Sequence, residues 1–232
     1  MYSKDYSLRY SDIDFNNKIK LSAILDILQD VSICHSDDMG YTREKLSAMS
    51  IAWLLSGWKI KIISQIDGQK PITAKTAITE MNKIQVTRKY EIVQDGECKI
   101  IASAEWFTVD TQKLSLARIP DEIKEYYAKI MEEPNGFDIT RLRPDKDAKE
   151  IESLKITNRD IDTNKHLNNV KSAEILLDYL PDGTDVDEFQ ITYKKQLYKD
   201  DVAKIYINHT TENFTAELRN ENDEACVLIN VK

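Results

Sequence analysis

Asp162, Asn164 and His166 occupy alternate positions of one short run, Asp162-x-Asn164-x-His166-x-Asn168-Asn169. A carboxylate, an amide and an imidazole this close together can serve acyl transfer by general base catalysis. If the run is extended, side chains two apart point the same way. All three would then lie on one side, with Asn164 able to orient the imidazole. Backbone N–H groups from Asn169 to Lys171, at the start of the helical pattern that follows, would be placed to stabilise an oxyanion. The residues alone also allow a turn in which Asp162 and Asn164 bond to nearby backbone and His166 is an incidental cap.

An internal repeat singles this run out. Tyr10–Asp30 (YSDIDFNNKIKLSAILDILQD) aligns without a gap on Asn158–Asp178 (NRDIDTNKHLNNVKSAEILLD) at a constant offset of 148. Asp12 falls on Asp160, Ile13 on Ile161, Asp14 on Asp162 and Asn16 on Asn164. Further on, Ile27, Leu28 and Asp30 meet Ile175, Leu176 and Asp178. One difference matters chemically: Lys18 stands where the second copy has His166. The first copy lacks the imidazole, so the chemistry is expected in the second.

The elements that must position these residues are legible as periodicities. Leu21, Ile24, Leu25, Leu28 and Val31 recur at spacings of three and four, which predicts a helix with Ser22 as its N-cap. Val170, Ala173, Leu176, Leu177 and Leu180 predict a second helix, stopped by Pro181 and Gly183. Strand alternation follows each. In the first half it runs through Ile84, Val86, Tyr90 and Ile92, with Arg88 interrupting. Beyond an Asp95–Gly96 hairpin signal it resumes through Cys98, Ile100, Ala102, Ala104 and Trp106. In the second half it runs through Phe189, Ile191 and Tyr193, then Ala203, Ile205 and Ile207, then Phe214, Ala216 and Leu218. A weaker set, Cys226, Leu228 and Asn230, closes the chain. Each half thus reads as one long helix covering an antiparallel sheet, an α+β arrangement used twice. The turn-rich stretches Glu132–Gly136 and Arg141–Lys146 place a linker over 131–150, between domains 1–130 and 151–232.

At the residues Asn158–Val170, NRDIDTNKHLNNV, the chain resembles the acyl-acyl-carrier-protein thioesterases, whose second domain carries D-x-N-x-H-x-N-N leading into its central helix. The likeness extends to YSDIDFNNKIKLSAILDILQDVSICHSDDMG in the first half, to WLLSGWKIKI (Trp53–Ile62) and to RIPDEI (Arg118–Ile123). It implies a tandem (double) hotdog fold, in which each half wraps an antiparallel sheet around a long helix. It also implies hydrolysis of fatty acyl-carrier-protein thioesters with water and no cofactor. Carried over by position, Asp162, Asn164 and His166 match the catalytic loop. Gln196, in Tyr193-Lys194-Lys195-Gln196, stands where the family has a Glu; an amide is no base, though it can hold a water. Leu197 stands where plant relatives have a cysteine, which excludes a cysteine nucleophile there. Ser172 and Ile175 replace an aromatic residue and a Trp. Asn168, Asn169, Lys194 and Lys195 are the expected substrate contacts, the lysines as part of a basic cluster with Lys199 and Lys204 facing an acidic acyl carrier protein. An acyl-coenzyme A thioesterase and a non-catalytic acyl-chain or carrier binder are the alternatives.

Composition narrows the classes. The chain has 232 residues, 41% hydrophobic and 31% charged, with a net charge of −8. That charge argues against a nucleic-acid partner. No run approaches the roughly 18 apolar residues of a membrane span, and MYSKDYSLRYSDID has no apolar leader segment, so a cytoplasmic protein is expected. The three cysteines, Cys34, Cys98 and Cys226, form no disulfide framework, and the three histidines show no metal-ligand spacing. There is no G-x-S-x-G elbow and no phosphate-binding glycine motif. Cys34–His35 falls within a helical pattern, where neighbouring side chains diverge, and is expected to be structural; His209 falls within a strand or turn and is expected at the surface. A monomer and a homodimer both fit.

Overall fold

In the computed structural model, which describes residues 1–211 and 213–232, the chain divides into two units, Met1–Ile139 and Thr140–Lys232. The first contains β1 (Tyr2–Tyr6), α1 (Leu21–Asp38), α2 (Arg43–Ala48), β2 (Ile51–Ile62), β3 (Ile72–Met81), β4 (Gln85–Gln94), β5 (Glu97–Asp110), β6 (Ser115–Leu116) and α3 (Asp121–Ile130). Its sheet runs β1-β3-β4-β5-β2, every pair antiparallel, with β6 added to β5. The second contains β7 (Lys149–Lys155), α4 (Asn169–Leu177), β8 (Glu188–Tyr193), β9 (Val202–His209), β10 (Phe214–Arg219) and β11 (Ala225–Val231). Its sheet runs β7-β9-β10-β11-β8, also antiparallel throughout. Both units therefore follow one order: a strand, a helix, a strand, then a three-stranded meander.

In each unit the helix covers apolar sheet. Ala23, Ile24, Leu25, Ile27, Leu28 and Val31 of α1 are buried, and the helix packs against β1 and β3. Val170, Ala173 and Leu176 of α4 are buried, and that helix packs against β10 and β11. The hairpin between β4 and β5 forms as its residue types predict. Asp95 and Gly96 have φ of 53° and 81°, the left-handed pair that a two-residue turn requires, and Gln94 pairs with Glu97.

Two local expectations need correction. Helix α1 takes Lys20, not Ser22, as its N-cap, because the Lys20 N–H closes the preceding loop onto the Asp12 carbonyl at 2.9 Å and sets where the helix starts. Helix α4 has nine residues and stops at Leu177, short of Leu180. Tyr179 and Leu180 instead bond three residues back, to Leu176 and Leu177, just before Pro181 restricts the backbone. Strand β7 shows no apolar alternation, since six of its seven residues are exposed; main-chain bonds to β9 hold it. No helix is long and apolar enough to cross a membrane.

Arg88, the residue that breaks the apolar alternation of β4, is buried on the same face as Val86, Tyr90 and Ile92. Its Nη1 donates to His35 Nδ1 at 2.8 Å, and the His35 ring stacks on Tyr2 with centroids 5.1 Å apart. A guanidinium only donates, so His35 must accept and stay neutral. Burial first, and the Arg88 charge second, lower the His35 pKa from the usual 6.5 to about 4, with Glu132 opposing. A proton held less tightly in the fold than in the unfolded chain favours unfolding in acid. The His35 contribution to stability should be whole above pH 6.5 and decline as pH falls towards 4. The slope is at most about 1.4 kcal/mol per pH unit. His35→Gln keeps an acceptor for Arg88 and removes the titration. Denaturant melts of both proteins across this range should show a shallower slope for the variant; equal slopes would refute the assignment.

Candidate functional site

Each D-I-D-x-N run begins as a short 3-10 turn, Tyr10–Asp12 in one unit and Asn158–Asp160 in the other. The buried aspartate ending each turn accepts the backbone N–H three residues back, Arg9 to Asp12 Oδ2 and Thr157 to Asp160 Oδ2, both at 2.8 Å. Burial alone would raise the Asp160 pKa, but the hydrogen bonds from Thr157 hold it below the usual carboxylate range. The loop proper then closes in the same way twice. Asp14 N–H donates to Lys18 O and Asp162 N–H to His166 O, each at 2.8 Å. Asn17 and Lys165 turn the chain with φ of 59° and 68°.

The second aspartate of each run clamps this turn. Asp14 Oδ1 accepts from Asn16 N at 2.8 Å and Lys18 N at 2.9 Å. Asp162 Oδ1 accepts from Asn164 N at 2.7 Å and His166 N at 3.2 Å. The run is therefore a closed turn and not an extended segment, which corrects the expectation that Asp162, Asn164 and His166 share one side. The cause is local: a carboxylate that bonds two N–H groups ahead of it forms a turn, and the left-handed Lys165 completes the reversal. Asn164 does not orient the imidazole. Its side chain is exposed, and its Nδ2 reaches only Asp162 Oδ2, at 3.5 Å. That long contact is the one hydrogen bond at Asp162 Oδ2 among the described residues, so this oxygen keeps accepting capacity.

His166 is half-buried, and its ring meets Tyr198 edge to face, centroids 5.0 Å apart at 76°. The backbones of His166 and Tyr198 form a β-bridge, and Leu167 N donates to Leu197 O at 2.7 Å. Gln196 enters the site through Tyr198, whose hydroxyl reaches its Oε1 at 3.5 Å. Leu197 between them is buried. Sequence reasoning missed Tyr198. Its signal was an exposed aromatic residue alternating with Gln196 about a buried leucine.

The start of α4 also needs correction. Asn168, expected at the substrate, uses its side-chain oxygen to cap the helix, accepting from Val170 N at 2.8 Å and Lys171 N at 3.0 Å. Ser172 N donates to Asn168 O at 2.9 Å. The first-turn N–H groups of Val170 and Lys171 are thus occupied, and among the described residues only that of Asn169 is left. The Asn169 carbonyl accepts the Ser172 hydroxyl at 2.7 Å and the Tyr193 hydroxyl at 3.1 Å. Burial pushes the Tyr193 phenol far up, so it remains a donor that pins the helix start to β8. Ser172, smaller than the aromatic residue expected there, is buried and satisfied.

The basic cluster is partly neutralised. Lys195 pairs with Glu224, and Lys204 with Asp223 at 2.9 Å. Lys194 and Lys199 are exposed and form no salt bridge among the described residues, though the Lys199 charge acts on Asp200. Cys34, Cys98 and Cys226 are free thiols, and His209 is exposed at the end of β9. A carboxylate oxygen with open lone pairs, a half-exposed imidazole, an amide and one unbonded helix-start N–H suit hydrolysis of an activated acyl group.

Comparison with known proteins identifies the family of the chain. Residues 1–127 match the family model for the acyl-ACP thioesterase N-terminal domain, and residues 143–231 match that for the C-terminal domain. A chloroplastic acyl-(acyl-carrier-protein) hydrolase of Cuphea viscosissima is 23% identical over 222 residues, 88% of this chain and 53% of that protein. Oleoyl-acyl carrier protein thioesterase 1 of Arabidopsis thaliana is 23% identical over 234 residues, 91% of this chain and 64% of that protein. The chain thus spans about half to two thirds of these relatives' length. Among solved structures, an acyl-ACP thioesterase from Bacteroides thetaiotaomicron superposes with a TM-score of 0.89 at 18% identity, covering 99% of this chain and 96% of that one. The 12:0-ACP thioesterase from Umbellularia californica does so with 0.88 at 14% identity, covering 100% and 96%. These likenesses show the fold, a mixed α/β chain built on antiparallel sheet.

Proposed function

The chain belongs to the acyl-ACP thioesterase family, and from that premise we propose that it hydrolyses fatty acyl-acyl-carrier-protein thioesters, yielding the free fatty acid and the carrier thiol. The observation that carries this reading is the inequality of two otherwise matching loops: the second holds His166 where the first holds Lys18. The two units are read as tandem hotdog domains, an assignment supported by their identical strand order and by a helix on each sheet. Residues 1–130 are assigned the acyl pocket and residues 151–232 the chemistry.

In the proposed reaction Asp162 Oδ2 takes a proton from water as that water attacks the thioester carbonyl. Oδ1 stays anchored by the loop. The proton taken from water then passes from Asp162, directly or through His166, to the departing thiolate, which leaves as the thiol and restores the carboxylate. The Asn169 N–H, at the positive end of α4, stabilises the oxyanion. Gln196 orients the water or the substrate. Lys194 and Lys199, the two exposed lysines of the cluster outside its salt bridges, offer docking contacts for an acidic carrier.

The test is steady-state hydrolysis of acyl-carrier thioesters beside coenzyme A thioesters of matched chain length. A kcat/KM at least about tenfold higher for the carrier substrates, roughly the 1.4 kcal/mol of one good docking contact, is expected. Equal values would favour an acyl-coenzyme A thioesterase. Binding without turnover would make the chain an acyl-carrier binder, and Gln196 in place of an acid would then be the reason to examine.

A further inference from the structure

Tyr198 stands on a rigid mount. Its N–H donates to Asp201 Oδ2 at 2.8 Å, and its carbonyl accepts from Asp201 N at 3.2 Å. Asp200 turns the chain with a φ of 72°. This turn is tied to the end of β7, because Asp200 N donates to Ile156 O at 3.0 Å and Ile156 N to Asp201 O at 2.9 Å. From the other side, the bridge to His166 and the bond from Leu167 N to Leu197 O fix the same segment to the loop. The backbone of Tyr198 is thus held from two directions, and its side chain, 49% exposed, contributes little to the core. An exposed tyrosine this firmly held is placed for what its ring and hydroxyl touch. The ring touches His166, edge to face, and the hydroxyl touches Gln196.

We propose that Tyr198 is a positioning residue of this site, holding the His166 imidazole with its ring and steering the Gln196 amide with its hydroxyl. The proposal rests on the reading of His166 as a participant in thioester hydrolysis. The imidazole has no side-chain hydrogen bond among the described residues, and the Tyr198 ring is its aromatic neighbour there. Asn164, which the residue spacing had suggested for that task, bonds to Asp162 instead. The hydroxyl contact, at the long end of hydrogen-bond reach, is the weaker half. It acts by biasing the amide so that Oε1 faces the phenol and Nε2 faces away.

The experiment compares Tyr198→Phe, Tyr198→Ala and the double variant Tyr198→Ala with His166→Ala. Misplacement of a catalytic group by about 1 Å can cost roughly 100-fold. Tyr198→Ala should therefore lower kcat by about 10- to 100-fold with KM changed less than about twofold. Tyr198→Phe keeps the ring and should stay within about threefold of wild type. On the His166→Ala background, Tyr198→Ala should cost no more than the roughly threefold of the lost hydroxyl contact, because the ring and the imidazole act as one unit. A kcat within twofold of wild type for Tyr198→Ala, or an equal loss on both backgrounds, would overturn the proposal. The His166 ring resonances provide a readout independent of turnover. Their ring-current shift should vanish in Tyr198→Ala and persist in Tyr198→Phe. If the wild type hydrolyses no thioester, the functional reading falls, and an unmoved His166 resonance in Tyr198→Ala would then overturn the positioning role by itself.

Discussion

Asp162→Asn should lower kcat by roughly 10²- to 10⁴-fold while leaving the loop closed. The two halves of this expectation come from the two carboxylate oxygens. Oδ1 accepts the N–H groups of Asn164 and His166, and an amide oxygen accepts them equally well. Among the described residues, Oδ2 has only the 3.5 Å contact with Asn164 Nδ2. In the variant one of the two positions becomes an NH₂ group, which cannot take a proton from water. Loss of charge from the two remaining bonds should cost about 1 kcal/mol of stability. Asp14→Asn measures that structural cost separately, because Asp14 makes the same two bonds in the loop without an imidazole. The pair should show similar falls in Tm and very different falls in kcat. Retained turnover in Asp162→Asn, or an equal loss in Asp14→Asn, would remove Asp162 from the chemistry.

His166→Lys should have an effect of similar size for a reason the chain itself supplies. Lys18 occupies the equivalent position of the first loop, where the closure is the same. A lysine is therefore compatible with this turn, and the substitution need not disturb the hydrogen bonds made by the backbone of residue 166. What it removes is the imidazole, whose two ring nitrogens can accept and donate a proton, where a lysine ammonium can only donate. A loss of roughly 10²- to 10⁴-fold in kcat is expected, with Tm within about 2 °C of wild type, as befits a half-exposed site. Activity within tenfold of wild type would exclude His166 as a proton carrier. A collapse of Tm would show that the ring, more than its proton, is what the site needs.

The elements that could be read from residues are those whose determinants lie close together in the chain. The stripe from Leu21 to Val31 made α1 legible, because one helix face needs only spacings of three and four. Asp95–Gly96 marked its hairpin because two successive left-handed residues are a local demand. The polar, exposed β7 escaped notice because it is placed by backbone pairing with β9, some 50 residues away, and not by an apolar pattern of its own. The Asn168 cap was legible in principle, since Asn before a helical pattern is a common N-cap, but the same residue had been assigned to substrate.

The sequence by itself determined that two matching D-I-D-x-N loops exist and that only the second carries an imidazole. Both facts are matters of residue identity at a constant offset. Only the tertiary structure decided how the second loop is equipped. Asp162 divides its oxygens between clamp and open acceptor because the turn closes on itself. Asn169 is left with the one unbonded N–H because Asn168 takes the next two. Tyr198 reaches His166 across some 30 residues of chain, through a β-bridge that no local periodicity encodes, and Gln196 bonds to Tyr198. A covalent neighbour is fixed by order in the chain. A neighbour across a bridge is fixed by how strands and loops pack, and the geometry that makes His166 part of a site is of the second kind.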